Sequence, residues 1–479
     1  MPIPPDAAPK GEPGPVHPGM PRFIRAFLQN LRKVRDKDIG AICRQLISQL
    51  GEASQTALAQ ELIAGYESLN DAQRLEFFQM LCREFGPSEA LISKAAANYH
   101  RSPTFANYQA LAAAMVSPLQ KLFQRMNTAP RGTETLVSMR GRVVRLLGDH
   151  PELMPLDSEL RYLFGLWFNR GFLRLERIGW HTSALVLEKL IRYESVHEIN
   201  GWSDLRRRLA PDRRCFAFFH PALADEPIIF VEIALTQGLV GELDPLLDVN
   251  APVLEPEQAD TTMFYSISNC LDGLRGVSFG SFLIKQVVVE LGAEFPGIKL
   301  FGTLSPLTRF ARALRDQHNQ EGFTRPRLSR LLADFEERLL TESGKGDRVE
   351  ALFSLLQDPL HHRDALARPL HRLALAYLTQ LRVNGRVLDP VANFHLSNGA
   401  RLERINPFSN LRPYGLTQSF GLTANYRYVP DELEENHEHF VTEGQFRVSS
   451  RLLPEQRIVA ALWMEGETGK KSPHGSQRS

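Results

Sequence analysis

Apolar residues recur at three- and four-residue steps from Phe23 to about Trp180, then gather beyond residue 195 into short β-branched and aromatic runs. This change of period constrains the fold more than any other feature. The first spacing puts side chains on one helix face, and the second suits strands. Leu58, Leu62, Tyr66 and Leu69 make one helical stripe, and Leu75, Phe78, Cys82 and Phe85 make another. Further helices are predicted over 22–34, 37–50, 104–126, 133–147 and 158–173, with Pro118 kinking or splitting the third. Asn70 and Ser158 read as N-caps. The runs CFAFFH (215–220), IIFVEIALT (228–236) and MFYSIS (263–268) read as strands of one sheet. Helical patterns return over 279–294, 307–316, 326–341, 348–357 and 370–381. The expected class is α+β, an all-α helical bundle followed by a mixed-sheet domain. Its parts are a Pro-rich tail (1–21), a helical oligomerisation domain (22–190), a chemistry-bearing domain (191–465) and a polar tail (466–479).

Composition narrows the function. Lys plus Arg number 56 against 55 Asp plus Glu, so binding nucleic acid through bulk charge is not expected. No run approaches the roughly 20 apolar residues of a membrane helix. The four cysteines form no C-x-x-C pair, which argues against a zinc ribbon or a disulfide framework and for a reducing compartment. The N-terminal residues have neither a secretory h-region nor an Arg-rich amphipathic pattern, so a cytoplasmic location is expected.

Candidate chemistry lies in the second half. Arg206, Arg207, Arg208, Arg213 and Arg214 read either as a solvated basic face or as an anion clamp. The loop Arg275-Gly276-Val277-Ser278-Phe279-Gly280-Ser281 separates a strand from a helix. It reads either as a tight helix start with no ligand or as a phosphate site, since glycines let the backbone approach a phosphate and a helix start presents free amides. Ser305, before Pro306, sits at a strand-to-helix junction and suits either N-capping or ligand contact. His395 lies between Asn393 and Asn398 in DPVANFHLSNGA, which reads as a turn. It reads either as a histidine satisfied by backbone in a turn or as one of near-neutral pKa that moves protons, with the asparagines orienting its ring or polarising a carbonyl. His361-His362 reads as a cap or turn rather than a metal site, His220 stands alone at a strand end, and His437 and His439 fall in an expected solvated loop. No Gly-x-Ser-x-Gly elbow is present.

The 275–281 loop resembles the acetyl-CoA loop of the GNAT superfamily, with Arg275, Ser278 and Gly280 at its first, fourth and sixth positions. The segments RRCFAFFHPAL (213–223), EPIIFVEIALT (226–236), FYSIS (264–268), RGVSFGSFLIKQVV (275–288), LSP (304–306), PVANFHLSNGA (390–400) and GLTANYRY (421–428) together resemble the malonyl-CoA decarboxylase family, in its order. The resemblance implies a GNAT-like catalytic domain behind a helical one. It also implies conversion of malonyl-CoA to acetyl-CoA and CO2, and homo-oligomers (dimer or tetramer) assembled through the helical part. It puts the catalytic serine at Ser305, the catalytic histidine at His395 and the CoA-binding loop at Arg275 to Ser281. Asn393, Asn398 and Tyr426 are further expected substrate contacts. Ser278 stands where animal members of the family carry an acidic residue. The thioester carbonyl is itself the electron sink for the enolate, so the reaction needs no cofactor and no metal. The alternatives are a GNAT-type acyltransferase acting on an amine and a non-catalytic CoA-binding scaffold.

Overall fold

The computed structural model describes residues 38–48, 51–277, 282–319, 322–383 and 385–465. The expected Pro-rich tail, the helix over 22–34, Ser278 to Ser281 of the loop and the polar tail lie outside the described residues. The chain forms two compact units. One comprises the residues up to Trp167 together with Leu271–Val277, and the other comprises Phe168–Cys270 and the chain from Ser278 onward.

The first unit contains α1 (Ile39–Ile47), α2 (Glu52–Ser68), α3 (Asp71–Phe85), α4 (Glu89–Arg101), α5 (Phe105–Met115), α6 (Pro118–Met126), α7 (Gly132–Leu146) and α8 (Met154–Trp167). Asn70 caps α3 through a capping box with Gln73, satisfying two first-turn donors. Pro118 opens α6 with Ser117 as its N-cap, so the 104–126 pattern is two helices. Ser158 is no cap. Pro155 fits the first turn of α8, which starts at Met154 and places Ser158 inside the helix. On α3 the buried stripe is Phe77, Phe78, Leu81 and Phe85 rather than the one through Leu75 and Cys82. Helix α4 was not expected from the periodicity, and neither α4 nor α5 buries a residue.

Leu271–Val277 packs within this helical unit. Arg140, buried on α7, donates from Nε to Asp157 Oδ1 at 2.9 Å and from Nη1 to the Gly273 carbonyl at 2.6 Å. A Cβ on Gly273 would fall 1.9 Å from the Val137 carbonyl oxygen, so only glycine fits.

The second unit begins earlier than the expected boundary at 190/191. Its first strand, β1 (Arg174–Ile178), lies in the stretch read as helical, and α9 (Ala184–Tyr193) and α10 (Trp202–Arg208) follow. Strands β2 (Arg213–Phe219), β3 (Pro227–Thr236) and β4 (Thr261–Asn269) are antiparallel neighbours. The short α11 (Asp244–Leu247) lies between β3 and β4. After α12 (Phe282–Glu294), β5 (Leu300–Thr303) pairs parallel with β4, giving the expected strand, loop, helix, strand unit. The two-residue β6 (Ser305–Pro306) precedes α13 (Phe310–Arg315). Helices α14 (Arg325–Leu331), α15 (Glu336–Ser343), α16 (Arg348–Leu355) and α17 (Arg363–Gln380) then lead to the hairpin β7 (Arg382–Val383) and β8 (Arg386–Val387). The chain ends with α18 (Pro390–Ser397), β9 (Arg401–Asn406), α19 (Pro413–Ser419), β10 (Thr423–Tyr428), α20 (Leu433–Glu443) and α21 (Leu453–Met464). The mixed sheet has eight strands in the order β1-β2-β3-β4-β5-β10-β6, with β9 also paired to β10. Strand β2 is buried along its whole length and β3 up to Leu235, which explains their continuous rather than alternating apolar runs.

Four of the five arginines form neither a solvated face nor a ligand clamp, while Arg206 is exposed and lies 5.9 Å from the Trp180 ring centroid. Arg207 pairs with Asp212 at 2.6 Å, Arg208 with Glu232 at 2.6 Å and Asp204 at 3.0 Å, and Arg214 with Glu294 at 2.6 Å. Arg207, Arg208, Arg213 and Arg214 are buried, and burial of a charge requires such partners. Arg208 fastens α10 to β3, and Arg214 ties β2 to α12.

Candidate functional site

Ser305 is not an N-cap. Its backbone belongs to β6, paired with Ala424 of β10, and the next helix starts only at Phe310. His395 is not in a turn but on α18. Asp389 caps that helix by accepting from Val391 N and Ala392 N, and Pro390 takes the first helical position, where its missing N–H costs nothing. Strand β10 adds Tyr426 and Tyr428, which share a sheet face because strand side chains alternate.

These segments, far apart in sequence, meet. Ser305 Oγ lies 2.9 Å from His395 Nε2, and His395 Nδ1 lies 2.7 Å from Tyr428 Oη. The imidazole stacks on the Tyr426 ring with centroids 4.8 Å apart and planes 21° apart. Ser305 Oγ is also 2.9 Å from Thr303 Oγ1, which accepts from Tyr426 N at 3.1 Å. Asn425 Nδ2 fixes the same turn by donating to the Thr303 carbonyl at 2.6 Å. Ser305, His395, Tyr426 and Tyr428 are all buried.

The partners set the tautomer. Among the described residues, the buried Tyr428 hydroxyl makes its hydrogen bond only to Nδ1, and a buried phenol must donate to avoid losing a hydrogen bond. Nδ1 is therefore the acceptor and Nε2 carries the hydrogen, which it donates to Ser305 Oγ. Ser305 is left to donate its own hydrogen to Thr303 Oγ1 or to a ligand. Burial pushes the His395 pKa down to about 3, so the ring is neutral across the physiological range. This corrects the expected near-neutral histidine. The ring acts through its N–H and its lone pair rather than as a standing imidazolium. Burial likewise holds the Tyr426 and Tyr428 hydroxyls well above the usual phenol range.

The asparagines do not orient the ring, since both ring nitrogens are occupied by Ser305 and Tyr428. Asn398 terminates α18, its Nδ2 donating to the Phe394 carbonyl at 2.7 Å. The side-chain oxygens of Asn393 and Asn398 are buried and have no hydrogen-bond partner among the described residues. Of the loop, Arg275 is exposed and pairs with Asp272 at 3.3 Å. Gly276 has φ +74°, a left-handed conformation that favours glycine, and Val277 is buried. Ser278, Phe279, Gly280 and Ser281 lie outside the described residues.

Two of the other histidines have structural partners. His362 Nδ1 lies 2.8 Å from Glu342, and His437 Nδ1 donates to the Ser397 carbonyl at 2.6 Å from helix α20, not from a loop. Among the described residues, no group of three His, Cys, Asp or Glu side chains could hold a metal ion.

Residues 171–463 match the Malonyl-CoA decarboxylase C-terminal domain, and residues 85–168 match its N-terminal domain. The chain belongs to the malonyl-CoA decarboxylase family. The mitochondrial malonyl-CoA decarboxylase of Anser anser anser is 32% identical over 419 residues, 82% of each chain. That of Rattus norvegicus is 32% identical over 415 residues. Among solved structures, the malonyl-CoA decarboxylase of Rhodopseudomonas palustris is 42% identical with a TM-score of 0.78, covering 88% of this chain and 98% of its own. The Agrobacterium vitis enzyme is 40% identical with a TM-score of 0.76, covering 89% of this chain and 100% of its own. The family's two domain matches divide between residues 168 and 171, where the helical unit also ends.

Tyr428 and Thr303 are the members of the cluster to which sequence reasoning assigned no role. Tyr428 stands in the quoted segment GLTANYRY, and its alternation with Tyr426 on a strand was the available signal.

Proposed function

We propose that this protein decarboxylates malonyl-CoA to acetyl-CoA and CO2, with Ser305 and His395 as the reacting pair. The observation that carries this reading is the 2.9 Å contact between Ser305 Oγ and the His395 Nε2–H, inside a buried cluster of hydrogen-bonding groups. Breaking the carboxylate bond releases CO2 and leaves its electron pair on the thioester as an enolate. Ser305 turns its hydroxyl from Thr303 to the enolate oxygen. His395 donates from Nε2 to Ser305 Oγ and so strengthens the serine as a donor. One good donor at such an oxygen is worth about 2.7–4 kcal/mol. The α-carbon then takes a proton through the Ser305–His395 pair, and solvent restores it. Tyr426 holds the imidazole plane, and the unpaired oxygens of Asn393 and Asn398 accept from the amide N–H groups of the bound CoA arm or from water.

The loop from Arg275 to Ser281 holds the CoA phosphates, with the Arg275 guanidinium and the left-handed turn at Gly276 supporting this role. The helical unit drives self-association into a dimer or tetramer. In support, α4 and α5 bury no residue and expose Leu91, Phe105, Tyr108 and Met115. The protein works in a reducing compartment, the cytoplasm; in support, all four cysteines are free thiols. Among the described residues, no helix is long and apolar enough to cross a membrane.

The test is to incubate the purified protein with malonyl-CoA and follow CO2 and acetyl-CoA, with and without an amine acceptor. Decarboxylation predicts both products without acceptor. Acylated amine formed only when acceptor is present would replace this reading with the acyltransferase, and CoA binding without turnover would replace it with a scaffold.

A further inference from the structure

Strand β10 has a second face. Tyr426 and Tyr428 point to His395, so the intervening Arg427 points the other way, and at the irregularity between Asn425 and Tyr426 the Asn425 side chain accepts from Arg404. On that side lies a cavity of about 340 Å³ lined by Leu239, Leu300, Glu403, Arg404, Arg427 and Arg451. Its volume is in the range of small-molecule sites. Gly302, paired with Arg427 in register, lets the Leu239 side chain pack close to β5, because a Cβ there would meet Leu239 at 2.4 Å.

Three guanidinium groups face this space with too little negative charge to balance them. Glu403 is the one carboxylate in the lining, and it is held by Arg401 at 2.9 Å. Among the described residues, Arg404 donates to the neutral acceptors Asn425 Oδ1 at 2.9 Å and the Leu239 carbonyl at 3.2 Å, and Glu403 offsets part of its charge without a hydrogen bond to it. Arg427 and Arg451 have no carboxylate partner among the described residues. Burial and the neighbouring Arg451 charge hold the Arg404 pKa below its ordinary value. The backbone keeps these like charges together. Ser449 N donates to the Leu402 carbonyl at 2.8 Å and Ser449 Oγ to the Glu403 carbonyl at 2.8 Å, anchoring the turn that carries Arg451 beside β9. Like charges gathered at a cavity are relieved by an anion, and guanidinium forks match phosphate oxygens. Leu239 and Leu300 give the same cavity an apolar wall for a short carbon group.

We infer that this arginine-lined cavity is a binding site for a small phosphate monoester, separate from the pocket of Ser305 and His395. Arg404 and Arg427 bind the phosphate with Arg451 closing over it, and the leucines receive the ester group. The occupied site abuts the catalytic pair through one shared residue. Asn425 accepts from Arg404 and donates to the carbonyl of Thr303, two residues before Ser305.

The experiment is calorimetric titration of the full chain with inorganic phosphate and with phenyl phosphate, with and without saturating acetyl-CoA. Both probes should bind, phenyl phosphate more tightly, and acetyl-CoA should leave both affinities unchanged. Arg427→Ala and Arg451→Ala should each weaken binding by about tenfold or more, the scale of one lost charge-assisted contact. Arg427→Lys and Arg451→Lys, which keep the charge, should retain part of it, and circular dichroism should show all variants folded. Three results would overturn the inference: no heat with either probe, affinities unaltered in both alanine variants, or loss of phosphate binding when acetyl-CoA is present. The last would assign the cavity to a CoA phosphate.

Discussion

Replacing Tyr428 by Phe removes one oxygen and tests how the histidine is prepared. The phenol is 2.7 Å from His395 Nδ1 and supplies its hydrogen. In Tyr428→Phe that nitrogen is buried without a donor, at a cost of about 1–3 kcal/mol. The ring can escape the cost of a bare lone pair by moving its hydrogen to Nδ1, but Nε2 then faces Ser305 as an acceptor and no longer as a donor. A loss of 1–3 kcal/mol in the reactive tautomer corresponds to roughly 5- to 150-fold in kcat. KM for malonyl-CoA should change little, since the phenol touches the histidine and not the CoA handle. The assay is steady-state CO2 release beside ¹⁵N spectra of histidine-labelled protein. The wild type should show the Nε2–H form and the variant a shift toward Nδ1–H. A Tyr428→Phe enzyme with unchanged kcat, or a wild type already in the Nδ1–H form, would refute the reasoning.

Ser305→Ala and His395→Ala should each depress kcat far more than they raise KM, and the double variant should be little worse than the poorer single one, because groups acting as a unit are not additive; additive losses in kcat would separate them. Both His395 and His197 are pushed down to about 3, chiefly by burial, whereas the unfolded chain binds these protons near pH 6.5. Their contribution to stability is therefore complete above about pH 6.5 and is lost as pH falls toward 3, by up to about 1.4 kcal/mol per pH unit for each ring. Melts at pH 7, 6 and 5 should show the decline, and kcat should not titrate with a pKa near 6.5. Exchanging Leu91 and Phe105 for Glu should lower the subunit count in light scattering without unfolding the chain, because both side chains are exposed; an unchanged count would remove α4 and α5 from the interface.

The strands β2, β3 and β4 and the helical first half were legible because burial imposes a period on the residues that face a core. Where burial is one-sided or absent, the signal fails. Helix α4 buries nothing, and its cap Ser88 was its clearest mark. Strand β1 is a mostly exposed edge of charged residues, RLERI, and leaves no apolar run. The helix carrying His395 was read as a turn because its residues are short and polar, although Asp389-Pro390 is a helix-start signature. Asp204 and Asp212 were within local reach of Arg208 and Arg207, but Glu232 and Glu294, which pair with Arg208 and Arg214, come from distant segments that no local pattern connects. Ser305 and His395 each drew notice for their settings, but only the family resemblance joined them as a pair, since ninety residues separate them and no spacing rule joins such positions.

Gly273 and its neighbours lie in sequence between a sheet strand and the helix that follows the loop, yet they pack in the helical unit. The chain therefore enters that unit a second time, long after leaving it at Trp167. A single cut at that boundary does not separate the halves cleanly, because it strips Leu271–Val277 of the bed formed by Val137, Arg140 and Gly141. The helical half is thus no interchangeable adaptor. Any recombination that swaps it for another oligomerisation module must also carry a replacement cradle for seven residues of the other half, and inheritance of the two halves as one piece is the simplest way to keep that match.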